Sequence, residues 1–376
     1  MPALYLHVPF CERKCVYCDF YSVESEPRYD DFVMLLVREI ELHALSPQSL
    51  LQTPSSSIFF GGGTPSLLSP TQLGAILCAL RSNFHIETDA EITVECNPGT
   101  VTLEKLRGYR ELGVNRLSFG VQSFHDDDLH FLSRIHTSRE AEEAILLAHE
   151  AGFENVNLDL MFSLPGQTPE RWMHNLERAR ALGTSHLSCY SLTVEKGTPL
   201  SGMVERGEVT TASEESDAVL FEMTMDTLAL WGFRHYEVSN HALPGFECRH
   251  NLAYWRHNDY LGFGPSAHGT QQGRRKWNVS SLKGWSDALR NNTSPVAGGE
   301  ELTPAILRAE YLYLRLRSEG IDLDEFRTSF QSDFLLDNRS ITTRLVNEGM
   351  AENLNGVFRL TQKGFLVCDE ICATVL

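Results

Sequence analysis

The sequence lacks a long apolar run, and its amino terminus lacks a charged segment followed by an apolar stretch and a cleavage site. The first absence argues against a transmembrane helix, because about 20 consecutive apolar residues are needed to cross a bilayer. The second gives no signal for export. We therefore expect a cytoplasmic protein without an integral membrane segment.

Basic residues are scarce, since 32 Lys and Arg stand against 50 Asp and Glu, for a formal net charge of -18 at pH 7. Binding to a phosphate backbone needs clustered Lys and Arg. We therefore expect no nucleic acid partner. One short basic cluster, Arg274–Lys276, follows a glycine, and we interpret it as a solvated turn.

A disulfide framework is also not indicated, because the nine cysteines are odd in number and the chain has no export signal. Six of them are scattered, and we interpret most of these as small buried apolar residues. The scattered cysteines are Cys78, Cys96, Cys189, Cys248, Cys368 and Cys372.

The other three cysteines, Cys11, Cys15 and Cys18, form a CxxxCxxC group. Three thiolates at this spacing can converge on one metal centre when the loop curls around it. Structural zinc usually takes four protein ligands in two pairs, and no second pair at zinc spacing follows. A [4Fe–4S] cluster with three cysteine ligands would keep one iron open. A zinc-stabilised interaction protein and a metal-free loop stay open as alternatives.

From residue 3 to about residue 194, short β-rich runs alternate with amphipathic helical patterns. This alternation predicts right-handed parallel βαβ units and an α/β fold, a partial (β/α)6 TIM-like barrel. Ser69, Thr102 and Ser138 are expected to open three of the helices. The strand candidates are Leu4–Val8, Ser57–Phe60, Glu91–Cys96, Arg116–Val121, Asn155–Met161 and His186–Leu192.

Three domains are predicted: a barrel core over residues 1–235, a barrel extension over 236–300 and a C-terminal domain over 301–376. The segment Arg234–Gly269 is rich in Gly, His and aromatic residues, and we expect it to be irregular. The C-terminal domain is expected to be a small winged-helix-like α+β unit. Its predicted elements are the helices Ala305–Arg317, Asp322–Phe330 and Ser340–Glu348, the hairpin Ala351–Leu360 and a last helix.

Three of the predicted strands carry a polar or small face, because side chains alternate between the two sides of a strand. A barrel lumen is ordinarily packed with branched apolar residues. The polar faces therefore predict a lumen that holds a ligand, with exposed strand edges as the alternative. The residues are Thr93, Glu95 and Asn97, then Ser118, Gly120 and Gln122, then Asn157 and Asp159.

Two further motifs accompany the cysteine group. Gly61–Ser66 reads GGGTPS directly after a predicted strand, and it is not a P-loop because no Gly-Lys-Ser/Thr follows. His250–Trp255 reads HNLAYW, an HNxxYW motif. With CxxxCxxC after the first strand, the chain resembles the radical S-adenosylmethionine superfamily. Within it, the chain resembles the branch of oxygen-independent coproporphyrinogen III oxidase and the HemW-type heme chaperones.

This resemblance runs from Tyr5 nearly to the C-terminus and implies a radical-SAM barrel. It implies that Cys11, Cys15 and Cys18 hold a [4Fe–4S] cluster, whose open iron binds S-adenosyl-L-methionine. It also implies the other contacts to this cofactor, with the glycine loop at its methionine part. These contacts would come from Tyr5, Tyr17, Gly62, Gly63, Thr64, Glu95, Gln122, Arg134, Asp159 and His268.

Two features favour the heme chaperones over the oxidase. The oxidase carries a fourth cysteine two residues after the third, where this sequence has Phe20. It also has an N-terminal extension, and we expect none here because the sequence begins four residues before Tyr5.

The HNxxYW motif resembles the signature of the HemW-type proteins, and the resemblance implies heme contacts from His250, Asn251, Tyr254 and Trp255. An imidazole can ligate heme iron, and aromatic rings can stack on the macrocycle. The alternative is that His250 and Asn251 only hydrogen-bond a loop against the barrel mouth.

We therefore predict a heme-binding protein that delivers heme to an unidentified acceptor protein and takes electrons from an unidentified donor. The resemblance implies a capacity to cleave S-adenosylmethionine and a cluster-dependent homodimer. No catalytic residue is assigned. The alternative function is that of an oxygen-independent coproporphyrinogen III oxidase in porphyrin biosynthesis.

Overall fold

The computed structural model describes residues 2–24, 28–44 and 54–375. Strands and helices alternate along the first half of the chain, as the sequence predicts. The strands are β1 Ala3–Val8, β2 Ser55–Gly62, β3 Ile86–Cys96, β4 Arg116–Gln122, β5 Asn155–Phe162, β6 His186–Ser191, β7 Arg234–Glu237, β8 Asn240–Ala242, β9 Tyr260–Phe263, β10 His268–Gln271, β11 Arg274–Asn278, β12 Val296–Glu301, β13 Ile321–Asp322, β14 Ala351–Leu354 and β15 Val357–Leu360.

The longer helices lie between these strands and near the C-terminus, and short 3-10 turns cover Pro65–Leu67 and Pro98–Thr100. The helices are α1 Tyr29–Ala44, α2 Pro70–Asn83, α3 Leu103–Glu111, α4 Asp126–Phe131, α5 Ser138–Glu150, α6 Pro169–Ala181, α7 Pro199–Glu205, α8 Glu214–Leu230, α9 Arg249–Trp255, α10 Leu282–Arg290, α11 Pro304–Leu316, α12 Leu323–Phe330, α13 Phe334–Asp337, α14 Arg339–Asn347, α15 Gln362–Phe365 and α16 Cys368–Val375.

Strands β1 to β6 are neighbours in sequence order and all run parallel, which confirms the partial (β/α)6 barrel. The carboxyl ends of these strands therefore meet along one edge of the sheet. The helix starts at Ser69 and Thr102 are confirmed, since each side chain accepts a hydrogen bond from the first turn. The third start is confirmed as well, since α5 begins at Ser138. Thr137 is the cap of α5, because its hydroxyl and the Glu140 side chain form a reciprocal capping box.

The prediction that Arg234–Gly269 is irregular is wrong. Four short strands lie there, and with β11 and β12 they extend the sheet to twelve strands in the order β12-β11-β10-β9-β1-β2-β3-β4-β5-β6-β8-β7. The basic cluster Arg274–Lys276 is part of β11 rather than a turn, because it pairs with β12 along an antiparallel ladder. The Arg275 guanidinium is bonded to the carboxylate of Glu300 on that strand at 2.6 Å.

A buried carboxylate on α1 joins this extension to the barrel. Glu39 accepts hydrogen bonds from the Gly264 amide at 2.8 Å, the Asn278 side chain at 2.6 Å and the Trp285 indole at 2.9 Å. Burial raises the pKa of Glu39 to about 7, although the three hydrogen bonds act to lower it. The sheet extension is therefore fixed on the barrel by a group that would be costly to bury without these donors.

A second apolar core lies in the C-terminal part of the chain, built on Leu312, Phe326, Phe334 and Phe358 among others. The predicted helices and hairpin there are confirmed to within a residue or two, with β13, β15 and β14 forming a small sheet. Within the ranges given above, no helix is both long and apolar enough to cross a membrane.

Candidate functional site

The cysteine loop follows β1 and lies over the carboxyl ends of the parallel strands. Its ends are tied to the segment that follows, because the Cys11 amide donates to the Val23 carbonyl at 3.1 Å and the Val23 amide donates to the Pro9 carbonyl at 2.7 Å. A turn from Cys15 to Cys18 is closed by a 3.2 Å backbone hydrogen bond. All three thiols are free.

The three cysteines line one cavity of about 410 Å³, which we call the cysteine cavity. Seven of the eight residues on the predicted polar strand faces line it as well, which confirms a lumen with polar walls. Thr93 is the exception and is fully buried. Of the predicted cofactor contacts, the cavity brings together Tyr17, Gly62, Gly63, Thr64, Glu95, Gln122, Arg134 and Asp159.

Polar groups surround the cysteine sulfurs. Arg134 donates to Cys15 Sγ at 3.3 Å and to the Gly120 carbonyl at 2.6 Å, and the Thr64 hydroxyl donates to Cys11 Sγ at 3.6 Å. Burial raises the pKa of Cys18 to about 11, and the neighbouring Cys15 and Cys11 act in the same direction. Thiolates here therefore need cationic compensation, which Arg134 and a bound metal centre would supply.

Among the described residues, no three His, Cys, Asp or Glu side chains are arranged to hold a single metal ion. One structural zinc ion needs four close ligands, so three cysteines on one loop fit a polynuclear centre with an open position better than zinc.

The glycine loop lets the backbone of β2 approach the cysteine loop. A Cβ at Gly63 would lie 2.6 Å from the Phe10 carbonyl oxygen, and one at Gly62 would lie 2.6 Å from the His7 ring. Gly62 also has a φ of 110°, in the region that side chains disfavour. Both positions therefore require glycine.

Two buried carboxyl groups, Glu95 and Asp159, face the cavity, and neither forms a direct ion pair within the described part of the chain. Burial raises the pKa of Glu95 to about 8, and the nearby Asp159 charge adds to this, while the Gly62 amide donates to the Glu95 carboxylate at 3.2 Å. Burial also raises the pKa of Asp159, which accepts from Asn157 at 2.8 Å. A positively charged ligand beside them would remove the cost of their ionisation.

The cavity wall also contains two buried polar atoms that have no hydrogen-bond partner among the described residues, namely Nε of Arg116 and Nε of Arg134. Buried donors of this kind are rare unless a ligand or water satisfies them. The residues therefore fit S-adenosylmethionine, which carries a sulfonium and an ammonium for the carboxylates and a carboxylate for the guanidinium groups.

A second cavity, of about 530 Å³, adjoins the first and is called the motif cavity. The two share Phe20, Phe59, Glu95 and Asn251. Phe20 is 64% exposed at this boundary. The motif cavity is lined by aromatic and polar residues that include Tyr5, His250, Tyr254, Tyr260 and His268.

His250 is a buried residue in the wall of the motif cavity, and both of its ring nitrogens are hydrogen-bonded. Nδ1 lies 3.0 Å from the Ser57 hydroxyl and Nε2 lies 2.9 Å from the Tyr254 hydroxyl. The ring stacks on Phe59 with centroids 4.9 Å apart, and burial lowers the pKa of His250 to about 3. His250 is therefore a neutral imidazole that holds Tyr254 in place.

The remaining predicted residues divide between the two cavities. Tyr5 and His268 line the motif cavity rather than the cysteine cavity, and the His268 side chain is exposed. Asn251 lines both, whereas Trp255 is half-buried and lines neither.

Sequence reasoning missed Glu91, which lies on the same face of β3 as Glu95 and positions the start of the HNxxYW helix. Its carboxylate accepts from the Arg249 amide at 3.1 Å, the His250 amide at 3.2 Å and the Cys248 thiol at 3.4 Å. It therefore caps α9, whose own cap residue, Cys248, provides no side-chain hydrogen bond. In the sequence, the sign of this role is a glutamate at the start of the predicted strand Glu91–Cys96.

We expect Glu91→Ala to lower the free energy of unfolding by roughly 2–3 kcal/mol, because it leaves buried backbone donors unsatisfied. Urea unfolding followed by tryptophan fluorescence measures this. Glu111→Ala, at the exposed end of α3, is the control and should change it by less than about 0.5 kcal/mol. Equal effects of the two changes would contradict the capping role.

Comparison with known proteins places this site in a family context. The family model described as "Radical SAM superfamily" matches residues 5–193. The heme chaperone HemW of Bacillus subtilis is 36% identical over 381 residues, covering 100% of this chain and 99% of that protein. HemW of Escherichia coli is 41% identical, covering 71% of this chain and 69% of its own length.

A solved structure, that of coproporphyrinogen III oxidase (HemN) from Escherichia coli, superposes with a TM-score of 0.84. It is 24% identical and covers 100% of this chain and 90% of its own. At this identity the likeness concerns the fold alone. It confirms the predicted barrel class.

Proposed function

The chain belongs to the radical S-adenosylmethionine superfamily and, within it, to the family of the HemW heme chaperones, and on this premise we propose that it binds heme and passes it to an acceptor protein. The family implies a [4Fe–4S] cluster and S-adenosylmethionine. Heme itself and the acceptor are the proposed parts.

The cysteine cavity supports the cofactor assignment residue by residue. Cys11, Cys15 and Cys18 would hold the cluster, and Glu95 and Asp159 would bind the cationic groups of S-adenosylmethionine. When bound, the two supply one-electron chemistry. The chain's own part is to orient the cofactor through these carboxylates. It also holds the cysteine loop over the strand ends through the hydrogen bonds to Val23.

One observation carries the heme proposal: α9 places Tyr254 of the HNxxYW motif in the wall of an aromatic cavity that adjoins the cysteine cavity. Tyrosine rings offer a flat apolar face to a macrocycle and keep a polar end in water. Cavities of roughly 300–1,000 Å³ are the usual size for ligands of this kind. The motif thus borders a space suited to a large planar group.

Anaerobic reconstitution followed by iron, sulfide and heme analysis of one sample tests the proposal. We expect cluster iron and sulfide together with stoichiometric hemin, and loss of that hemin to added apomyoglobin as a generic acceptor. A reconstituted chain that takes up no hemin would overturn the proposal.

His250 enters the proposal through Tyr254, as a positioning residue. We expect His250→Ala to weaken hemin binding about fivefold, because the Tyr254 hydroxyl loses one hydrogen bond. The Soret band should keep its position. A shifted Soret band in this variant would instead make His250 an iron ligand.

The same proposal includes an electron donor, a cytoplasmic location and a homodimer. Nine free cysteines support a reducing compartment. We also retain the division into residues 1–235, 236–300 and 301–376 as a proposal. The two separate apolar cores support the boundary before the C-terminal unit.

A further inference from the structure

A row of buried polar side chains lies behind the cysteine cavity, on strands β5, β6 and β7. Its members are Asn157 on β5, His186 on β6 and Tyr236 on β7, and none of them is more than 9% exposed. Asn157 reaches the cavity wall, whereas His186 and Tyr236 are not among the residues that line it. We call these three residues the relay.

Hydrogen bonds join the relay to a carboxylate in the cysteine cavity. The Asn157 side-chain nitrogen donates to Asp159 Oδ1 at 2.8 Å, and Asn157 Oδ1 lies 2.6 Å from His186 Nδ1. His186 Nε2 lies 2.7 Å from the Tyr236 hydroxyl, which also accepts from the Cys248 amide at 3.3 Å. The chain of contacts therefore runs from Asp159 to the residue before α9.

The chemistry of the two ends fixes the direction of every hydrogen bond in the relay. An ionised Asp159 carboxylate can only accept, so Asn157 turns its amino group to Asp159 and its oxygen to His186. His186 must then donate from Nδ1, which leaves Nε2 to accept from the Tyr236 hydroxyl. At the far end, the Cys248 amide can only donate to Tyr236. All four hydrogen bonds consequently point towards Asp159, and hydrogen bonds in such a chain strengthen one another.

The relay carries no net charge of its own. Burial lowers the pKa of His186 well below its ordinary value, and the nearby Arg116 charge acts in the same direction. Burial raises the pKa of Tyr236 well above its ordinary value. A neutral imidazole and a neutral phenol therefore act on Asp159 through their hydrogen bonds alone.

Asp159 depends on these donors because its surroundings oppose its ionisation. Burial raises the pKa of Asp159, and the hydrogen bond from Asn157 is the largest influence that lowers it. The nearby Glu95 carboxyl would repel a second negative charge. Asn157 in turn is held by His186 at 2.6 Å and, at a longer 3.1 Å, by the Ser188 hydroxyl. The main support of the donor that favours ionised Asp159 is therefore His186.

We propose that His186 and Tyr236 are positioning residues for S-adenosylmethionine, which orient Asp159 through Asn157 from behind the cavity wall. This inference rests on the cofactor assignment in the proposed function and adds residues that the assignment does not include. Groups behind a ligand-binding side chain fix its orientation, and their loss weakens binding although they never touch the ligand. Because the relay starts at the residue before α9, the HNxxYW helix and the cofactor carboxylate belong to one hydrogen-bonded structure.

Equilibrium dialysis of S-adenosylmethionine with the reconstituted full chain tests the relay. Tyr236→Phe removes only the hydroxyl that donates to His186, and we expect the affinity to fall about threefold to tenfold. The matched control is Tyr109→Phe, because the buried Tyr109 hydroxyl donates to the Leu68 carbonyl, outside the relay and the cavity. This control should leave the affinity unchanged.

Substitutions of two buried histidines separate the relay from the effect of burial. His186→Asn can still donate to Asn157 but no longer accepts from Tyr236, whereas His186→Leu loses both contacts. We therefore expect ordered losses of affinity, about threefold for His186→Asn and about tenfold for His186→Leu. His241→Leu is the control, because His241 is equally buried on β8 and neither of its ring nitrogens has a hydrogen-bond partner among the described residues. It should leave the affinity unchanged.

The tautomer of His186 provides a measurement that does not depend on affinity. Selective 15N labelling of histidine shows which ring nitrogen carries the proton, and the His186 signals are those that His186→Asn lacks. We expect the proton on Nδ1 in the unaltered chain, and a changed Nε2 shift in Tyr236→Phe, where the hydrogen bond to Nε2 is lost. A proton on Nε2 instead would overturn the relay, because Nδ1 could then not donate to Asn157.

The outcomes separate the relay from the proposed function. Binding of S-adenosylmethionine by the unaltered chain, with equal affinity in Tyr236→Phe and His186→Leu, would overturn the relay and leave the cofactor site standing. Equal losses in His186→Leu and His241→Leu would also overturn it, because the loss of any buried histidine there would then account for the effect. No binding by the unaltered chain would overturn the cofactor assignment, and the relay with it.

Discussion

Replacing Cys11, Cys15 or Cys18 with serine is expected to abolish the iron–sulfur cluster. Each thiol lines the same cavity, and a cluster with three protein ligands has none to spare. Iron and sulfide content after anaerobic reconstitution should fall at least tenfold in each variant, roughly the loss seen when metal-site groups are removed.

Cys78→Ser is the matched control, because Cys78 is an exposed free thiol on α2. It should leave iron and sulfide unchanged. The three cluster variants should still bind hemin, since none of these cysteines lines the motif cavity. Retention of full iron and sulfide in any one of the three variants would contradict the three-cysteine site.

Replacing Glu95 with glutamine is expected to have opposite effects on ligand binding and on stability. Glu95 faces the cysteine cavity and forms no ion pair with a described residue, and a cationic ligand would favour its ionised form. The amide should therefore lose the charge interaction with S-adenosylmethionine. We expect the affinity to fall about 10- to 100-fold, the equivalent of roughly 1.5–3 kcal/mol for a buried charged contact. Equilibrium dialysis with the reconstituted protein measures this.

The stability effect of the same change depends on pH. The folded-state pKa of Glu95 is about 8, above its ordinary value of 4.5. Between these values the native chain holds a proton that the unfolded chain has lost, so rising pH removes stability across this window. The glutamine variant lacks this loss. In the absence of ligands, the free energy of unfolding of Glu95→Gln should therefore rise relative to that of the unaltered chain, by on the order of a few kcal/mol from pH 5 to pH 8.5. Urea unfolding measures this difference.

Glu237 offers the control for ligand binding. It is also buried with a pKa raised to about 7, but it lies on β7, outside the cysteine cavity. Glu237→Gln should leave the S-adenosylmethionine affinity unchanged. A stability difference in favour of Glu95→Gln that becomes smaller as the pH rises would contradict the raised pKa of Glu95.

Local sequence patterns predicted the part of the site that parallel strands present. Glu95 and Asp159 reach the same cavity because period-two alternation puts them on the inner face, and neighbouring parallel strands bring their carboxyl ends together. The helix N-cap at Ser69 was also predictable, because such a cap depends on residues that are three positions apart.

Contacts between distant segments were not predictable in this way. Glu91 caps a helix that begins at Arg249, and His257 meets Glu310, yet neither partner alters the local pattern around the other. Strands β7 to β12 were not predicted, for a related reason. These strands are three to six residues long, and their pairing with other strands, not their composition, makes them strands.

The position of β1 in the sheet has a consequence for synthesis of the chain. Ala3 on β1 pairs with Ser57 on one side and with Tyr260 on the other. At roughly 5–20 residues per second, the second partner leaves the ribosome roughly 12–50 s after the first strand. During that interval the strand that carries the cysteine loop has one open edge. Enclosure of the loop is thus a late event in biogenesis, which follows the emergence of every carboxylate that faces the cofactor.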